Sequence, residues 1–128
     1  MTRPAAPSSR TDPRTAAVLS KAAVRAADQL GLRQVDLARV LGLSAATASR
    51  LKAGTWQLPA NSKAWELATA FVRVYRSLSA ITGGGTEAMR RWLHSTNQAL
   101  GGEPAERIQS AEGLISVLHY LDAARGRI

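Results

Sequence analysis

The chain has no cysteine, and its 128 residues include only three Trp, two Tyr and one Phe. Without thiols, disulfides, thiolate metal sites and cysteine nucleophiles are excluded. Histidine is almost as scarce. His94 and His119 stand far apart, with no carboxylate at metal-ligand spacing, so neither a metal centre nor a histidine-based catalytic site is indicated. No apolar run approaches the roughly 18 uncharged residues of a membrane span, and Arg3 is not followed by the apolar stretch of a signal peptide. The sequence therefore reads as a soluble, cytoplasmic protein with no membrane partner. Alternation of period two is never sustained, which predicts an all-α fold.

Acidic residues are the other shortage, with 9 Asp and Glu against 17 Lys and Arg, a net charge of +8. The imbalance is local. Residues 1–80 hold 12 cationic and 4 acidic residues, whereas residues 81–128 hold 5 of each, so all the net charge belongs to the first part. A basic module joined to a neutral one suggests a polyanion for the first and a different partner for the second.

Pro4, Pro7 and Pro13, with Ser8, Ser9 and Thr11 and almost nothing large and apolar, predict a disordered tail over residues 1–13. Thr11 or Asp12 ahead of Pro13 signals a helix start. Leu19, Ala22, Ala23, Ala26 and Leu30 then recur at helical spacing up to Gly31. A short helix over Val35–Leu41 closes at Gly42, and a third follows Ser44 and ends at Gly54. Beyond a loop at Trp56–Ala60, Asn61 or Ser62 caps the longest helix. Its stripe of Ala64, Leu67, Phe71, Val74, Leu78 and Ile81 must pack on the first three helices, with a share left for a dimer seam or a bridge between the halves. Gly83, Gly84 and Gly85 coincide with the change in charge, giving a boundary between 14–82 and 83–128. This triplet lacks the strand and lysine of a phosphate loop and reads as a hinge. Further helices are expected from Thr86 to His94, from Pro104, and from Ser110 or Ala111 to just before Gly126, separated by an irregular stretch at Ser95–Glu103. Glu103, Glu106 and Glu112 fit as helix N-terminal acids.

From Gln34 to Gly54 the chain reads QVDLARVLGLSAATASRLKAG. A helix-turn-helix needs a small residue where its helices cross, a glycine in the turn, and apolar residues holding the second helix on the first. Ala38, Gly42, Leu43, Ala48 and Leu51 meet those needs, and the segment resembles the Xre or Cro/repressor helix-turn-helix family. The resemblance implies that the second helix enters the major groove of operator DNA. Ser44, Ala45, Ala46, Thr47, Ser49 and Arg50 would then face the bases, and Gln34 a phosphate. Lys52, Arg39 and Arg33 fit phosphate contacts or solvated charges. Alanine at 45 and 46 offers only apolar contact, for example to thymine methyls, which leaves Arg50 as the main reader of purines.

The second half carries Trp92-Leu93, Asn97, Ala99-Leu100-Gly101-Gly102, Pro104, Ile108, Glu112-Gly113-Leu114, Val117-Leu118, Leu121 and the ending Arg125-Gly126-Arg127-Ile128. In this series it resembles the toxin-binding domain of the Xre/MbcA/ParS antitoxins, with Thr96 where that family often has proline. The resemblance implies a non-enzymatic antitoxin that silences a RES-domain toxin, an enzyme that degrades NAD or uses it for ADP-ribosylation. It also implies repression of the antitoxin's own operon, as a homodimer within a toxin–antitoxin hetero-oligomer. No cofactor is implied for this chain; NAD would belong to the partner.

Two accounts of toxin contact arise. A C-terminal peg of Gly126, Arg127 and Ile128 could plug the NAD site, with Arg125 or Arg127 pairing with a toxin carboxylate. Alternatively Trp92, Leu93, Asn97 and the Leu100-Gly101-Gly102 loop supply the affinity, although a tryptophan beside Leu93 at helical spacing is more often core. Tyr120 and Asp122 lie off the apolar stripe and suit either a partner surface or simple exposure. The competing function is a plain Xre-family regulator whose second half dimerises or senses a ligand.

Overall fold

The computed structural model describes residues 13–126, and over that span the chain forms seven α-helices and no strand. They are α1 (Pro13–Leu30), α2 (Gln34–Leu41), α3 (Ala45–Ala53), α4 (Lys63–Thr82), α5 (Thr86–Leu93), α6 (Pro104–Arg107) and α7 (Ala111–Ala124). A single 3-10 turn at Gln98–Leu100 lies between α5 and α6. The expected all-α class is found. Of the tail expected over residues 1–13, Pro13 instead opens α1; residues 1–12, with the expected cap at Thr11 or Asp12, and Arg127 with Ile128 lie outside the described residues.

Local chemistry sets the ends of these helices. The hydroxyls of Ser44, Ser62 and Ser110 accept the backbone N–H groups of Thr47, Trp65 and Gly113, each filling one of the orphan donors of a first turn. Of the two caps offered for α4, Ser62 serves. Gly42 takes φ 68° at the end of α2, and its N–H reaches the Ala38 and Arg39 carbonyls; a side chain would resist that left-handed conformation.

The long helix organises the rest. α4 buries Trp65, Ala68, Phe71, Val74 and Leu78 and packs against α1, α2 and α7. Its apolar surface thus serves both the first three helices and the second half. Ile81, expected at the end of the same stripe, is instead 45% exposed, and the last buried residue of α4 is Leu78.

One buried cluster runs from Ala23 of α1 through Leu41, Phe71 and Met89 to Leu121 of α7. It continues on both sides of Gly83 and Gly84, which turn the chain between α4 and α5. A polar clamp reinforces the contact. Arg90 of α5 donates from Nε to the Gln29 carbonyl (3.1 Å) and from Nη2 to the Asp28 carbonyl (2.9 Å), satisfying acceptors at the end of α1. The stretch Trp56–Ala60 is irregular, yet Leu58 within it is buried and its N–H donates to the buried Ser20 hydroxyl at 3.0 Å. The loop after α3 is thereby tied to α1.

Candidate DNA- and toxin-contacting surfaces

The helix-turn-helix presents its second helix outward. Ala48 and Leu51 of α3 are buried against the rest of the domain, while Ser44, Ala45, Ala46, Ser49, Arg50 and Lys52 are exposed and Thr47 is half-buried. All the residues expected to face DNA from this helix except Thr47 are therefore exposed. Thr47 lies in a small polar network, its hydroxyl within 3.0 Å of the Ser44 hydroxyl and accepting from Arg50 Nη2 at 3.4 Å. Gln34 is the exposed first residue of α2, where unpaired backbone N–H groups favour an anion.

Asp36 braces that N-terminus. Its carboxylate accepts from the Arg33 backbone N–H at 3.2 Å and from two guanidinium nitrogens of Arg33, each at 3.1 Å. The hydrogen bonds from Arg33 hold the Asp36 carboxyl below the usual carboxylate range, against the opposing effect of burial. The stabilisation of a lowered carboxylate is complete above its unfolded pKa and disappears as pH falls through the folded one. Asp36→Asn should thus be less stable than the natural chain near neutral pH, by about 1 kcal/mol as for a lost helix cap. The gap should close once pH drops below the carboxylate range. Urea midpoints of both proteins across that interval check this; a gap independent of pH would contradict it.

The positive charge of the first part is spread around this module. Lys21, Arg25, Lys52 and Arg76 line one groove between α1, the end of α3 and α4. A second, smaller cleft sets Arg33 and Arg39 across from Glu103 and Glu106, with His94 beside them. Among the described residues no group of three or more His, Asp or Glu is placed to hold a metal ion. No helix among them is long and apolar enough to cross a membrane.

In the second half the structure gathers residues that the sequence only spaced. Trp92 of α5 stacks on Tyr120 of α7, with ring centroids 6.3 Å apart and planes at 30°. Tyr120 is 37% exposed and Trp92 half-buried, so the pair is neither core nor free surface. Leu93 is wholly buried and Leu100 is 8% exposed; both anchor this region from inside and present nothing to a partner. Asn97 and Gly102 exchange both backbone hydrogen bonds, at 3.0 and 3.2 Å, and the Asn97 side chain accepts from the Leu100 N–H at 3.2 Å. Asn97, Leu100, Gly101 and Gly102 are thus a closed loop whose spacing follows from those bonds.

Gly113 has a different reason. It lies in the first turn of α7, where a methyl group would overlap the Arg107 carbonyl oxygen and come within 2.7 Å of its carbon.

These features have a counterpart among known proteins. Residues 9–73 match the antitoxin Xre-like helix-turn-helix domain, and residues 77–127 match the antitoxin Xre/MbcA/ParS C-terminal toxin-binding domain. The chain belongs to the Xre-like helix-turn-helix antitoxins. A search of curated proteins returned no match. In this antitoxin the helix-turn-helix and the segment matching the toxin-binding domain share one buried core.

Asp122 and Arg125 are placed otherwise than a free partner surface requires. Asp122 accepts from Arg73 Nη2 of α4 at 2.9 Å, and Arg125 Nη1 donates to the buried Ser77 hydroxyl at 2.9 Å. Arg73, Ser77 and Arg90 were not singled out from sequence, because each acts through a residue about fifty to sixty positions away. Ile115 on α7, next to the buried Leu114, is 40% exposed.

Proposed function

We propose that this antitoxin neutralises a RES-domain, NAD-consuming toxin by blocking its active site with the C-terminal end of α7, and represses its own operon through α3. The chain has no catalytic role of its own in this reading. The observation that carries it is the end of α7: the helix stops at Ala124, and Gly126, ahead of Arg127, turns at φ 74° with its N–H on the Ala123 carbonyl. Because Arg125 is already bonded to Ser77, Arg127 becomes the arginine assigned to a toxin carboxylate. The stacked, half-exposed Trp92–Tyr120 pair supplies a second, apolar contact on α5 and α7.

The test is co-expression with a RES-domain enzyme encoded beside this chain, following growth and cellular NAD. The full chain should restore both. A chain ending at Arg125 should still bind the enzyme through the aromatic pair but fail to prevent NAD loss. Full protection by the shortened chain removes the plug from the mechanism. If the full chain neither co-purifies with the enzyme nor restores growth, the RES assignment fails and the plain regulator takes its place.

A further inference from the structure

We infer that Ser77, on the long helix α4, is a positioning residue for the toxin-blocking end of α7. The inference rests on the plug proposed above. Ser77 is 2% exposed, yet its hydroxyl uses both of its hydrogen-bonding capacities on the last turn of α7. It accepts from Arg125 Nη1 at 2.9 Å and donates to Asp122 Oδ1 at 3.4 Å. The other Asp122 oxygen takes the Arg73 guanidinium at 2.9 Å. Four side chains from two helices therefore meet at the point where the chain leaves α7.

This cluster contributes little to holding α7 on α4. Leu114, Val117, Leu118 and Leu121, all buried, already do so, and an ion pair whose arginine side chain is 55% exposed adds little to global stability. What the cluster adds is local order. The last turn of a helix has no intrahelical partners for its carbonyls and frays readily. Arg125, the C-cap of α7, is instead pinned by its side chain to a neighbouring helix. Gly126 therefore starts from a fixed point, and docking this end of α7 on the toxin costs less conformational freedom.

The experiment compares the full chain, Ser77→Ala, Ser77→Thr, a chain ending at Arg125, and the shortened chain carrying Ser77→Ala. Two readouts are taken: backbone amide relaxation at Arg125 by NMR, and release of the RES-domain enzyme by surface plasmon resonance. Ser77→Ala should raise mobility at Arg125 in the free protein and speed toxin release about five- to tenfold, the scale of immobilising one or two side chains. Ser77→Thr, which keeps the hydroxyl, should restore both. In the shortened chain Ser77→Ala should have no further effect on release, whereas a merely structural role would cost the same there. Unchanged mobility at Arg125, or an equal effect in both backgrounds, overturns the positioning role. A shortened chain that blocks the toxin as well as the full chain overturns the plug, and the functional part of this inference with it, while the mobility measurement still reports whether Ser77 orders Arg125.

Discussion

Replacing Gly113 by alanine should destabilise the antitoxin by about 3 kcal/mol or more, the combined scale of an overpacked site and a lost helix cap. The sign is not obvious from helix propensity, which favours alanine over glycine by about 1 kcal/mol in a helix interior. Packing decides it. A methyl at 113 overlaps the Arg107 carbonyl and comes within 3.0 Å of Ser110 Oγ, the atom that caps α7. To admit it, the end of α6 and the start of α7 must separate, loosening the Ser110 cap and the seating of Leu114 and Ile108, both wholly buried. Thermal unfolding should show a fall of about 10 °C, given the usual 2–8 °C per kcal/mol for domains near this size. Gly85→Ala is the control. A methyl there meets nothing nearer than 3.9 Å, so it should cost no more than about 1 kcal/mol, the loss expected from alanine at the start of α5. Equal stability of the two variants would mean that the contact between α6 and α7 is not tight.

A carboxylate at position 46 should separate the two activities. Ala46 is exposed in the first turn of α3, on the face that carries Ser49 and Arg50. An acidic residue near a helix N-terminus is favourable by about 0.5 kcal/mol, so Ala46→Glu should keep or slightly raise stability. Against the DNA backbone the same charge is repelled, and like charges brought together at an interface cost several kcal/mol, or about a hundredfold or more in affinity. Anisotropy titrations with a duplex from upstream of the gene should show that loss, while toxin neutralisation by the second half persists. Retained DNA affinity in Ala46→Glu would place the reading surface elsewhere than on α3.

Much of the architecture could be read from the sequence because it depends on local chemistry. Serine before an apolar run caps α3, α4 and α7 through its own hydroxyl, and the glycine after α2 takes a conformation other residues resist. Such signals act over three or four residues and survive whatever the helix later packs against. The open face of α3 was legible for the same reason: with Ala48 and Leu51 turned inward, helical geometry leaves Ser44, Ala45, Ala46, Ser49, Arg50 and Lys52 outside.

The candidate toxin surface was only partly legible. Trp92 was open to core or contact readings and Tyr120 to contact or simple exposure, and only their stacking across two helices shows them as a half-exposed pair. Asp122, read as a possible partner contact, meets Arg73, because α7 lies along α4. Ile81 was assigned to a buried stripe that ends before reaching it.

By itself the sequence determined the all-helical class, the helix boundaries, the exposed side of α3 and the confinement of the net charge to the first part, since each follows from neighbours in the chain or from simple counting. Tertiary structure alone decided that one core unites the two halves, that Arg90 closes the end of α1, that Gly113 admits a neighbouring backbone, and that Ser77 meets Arg125 and Asp122. Those are contacts between helices distant in sequence. They depend on how α4 is shared between its neighbours, and no local pattern encodes that.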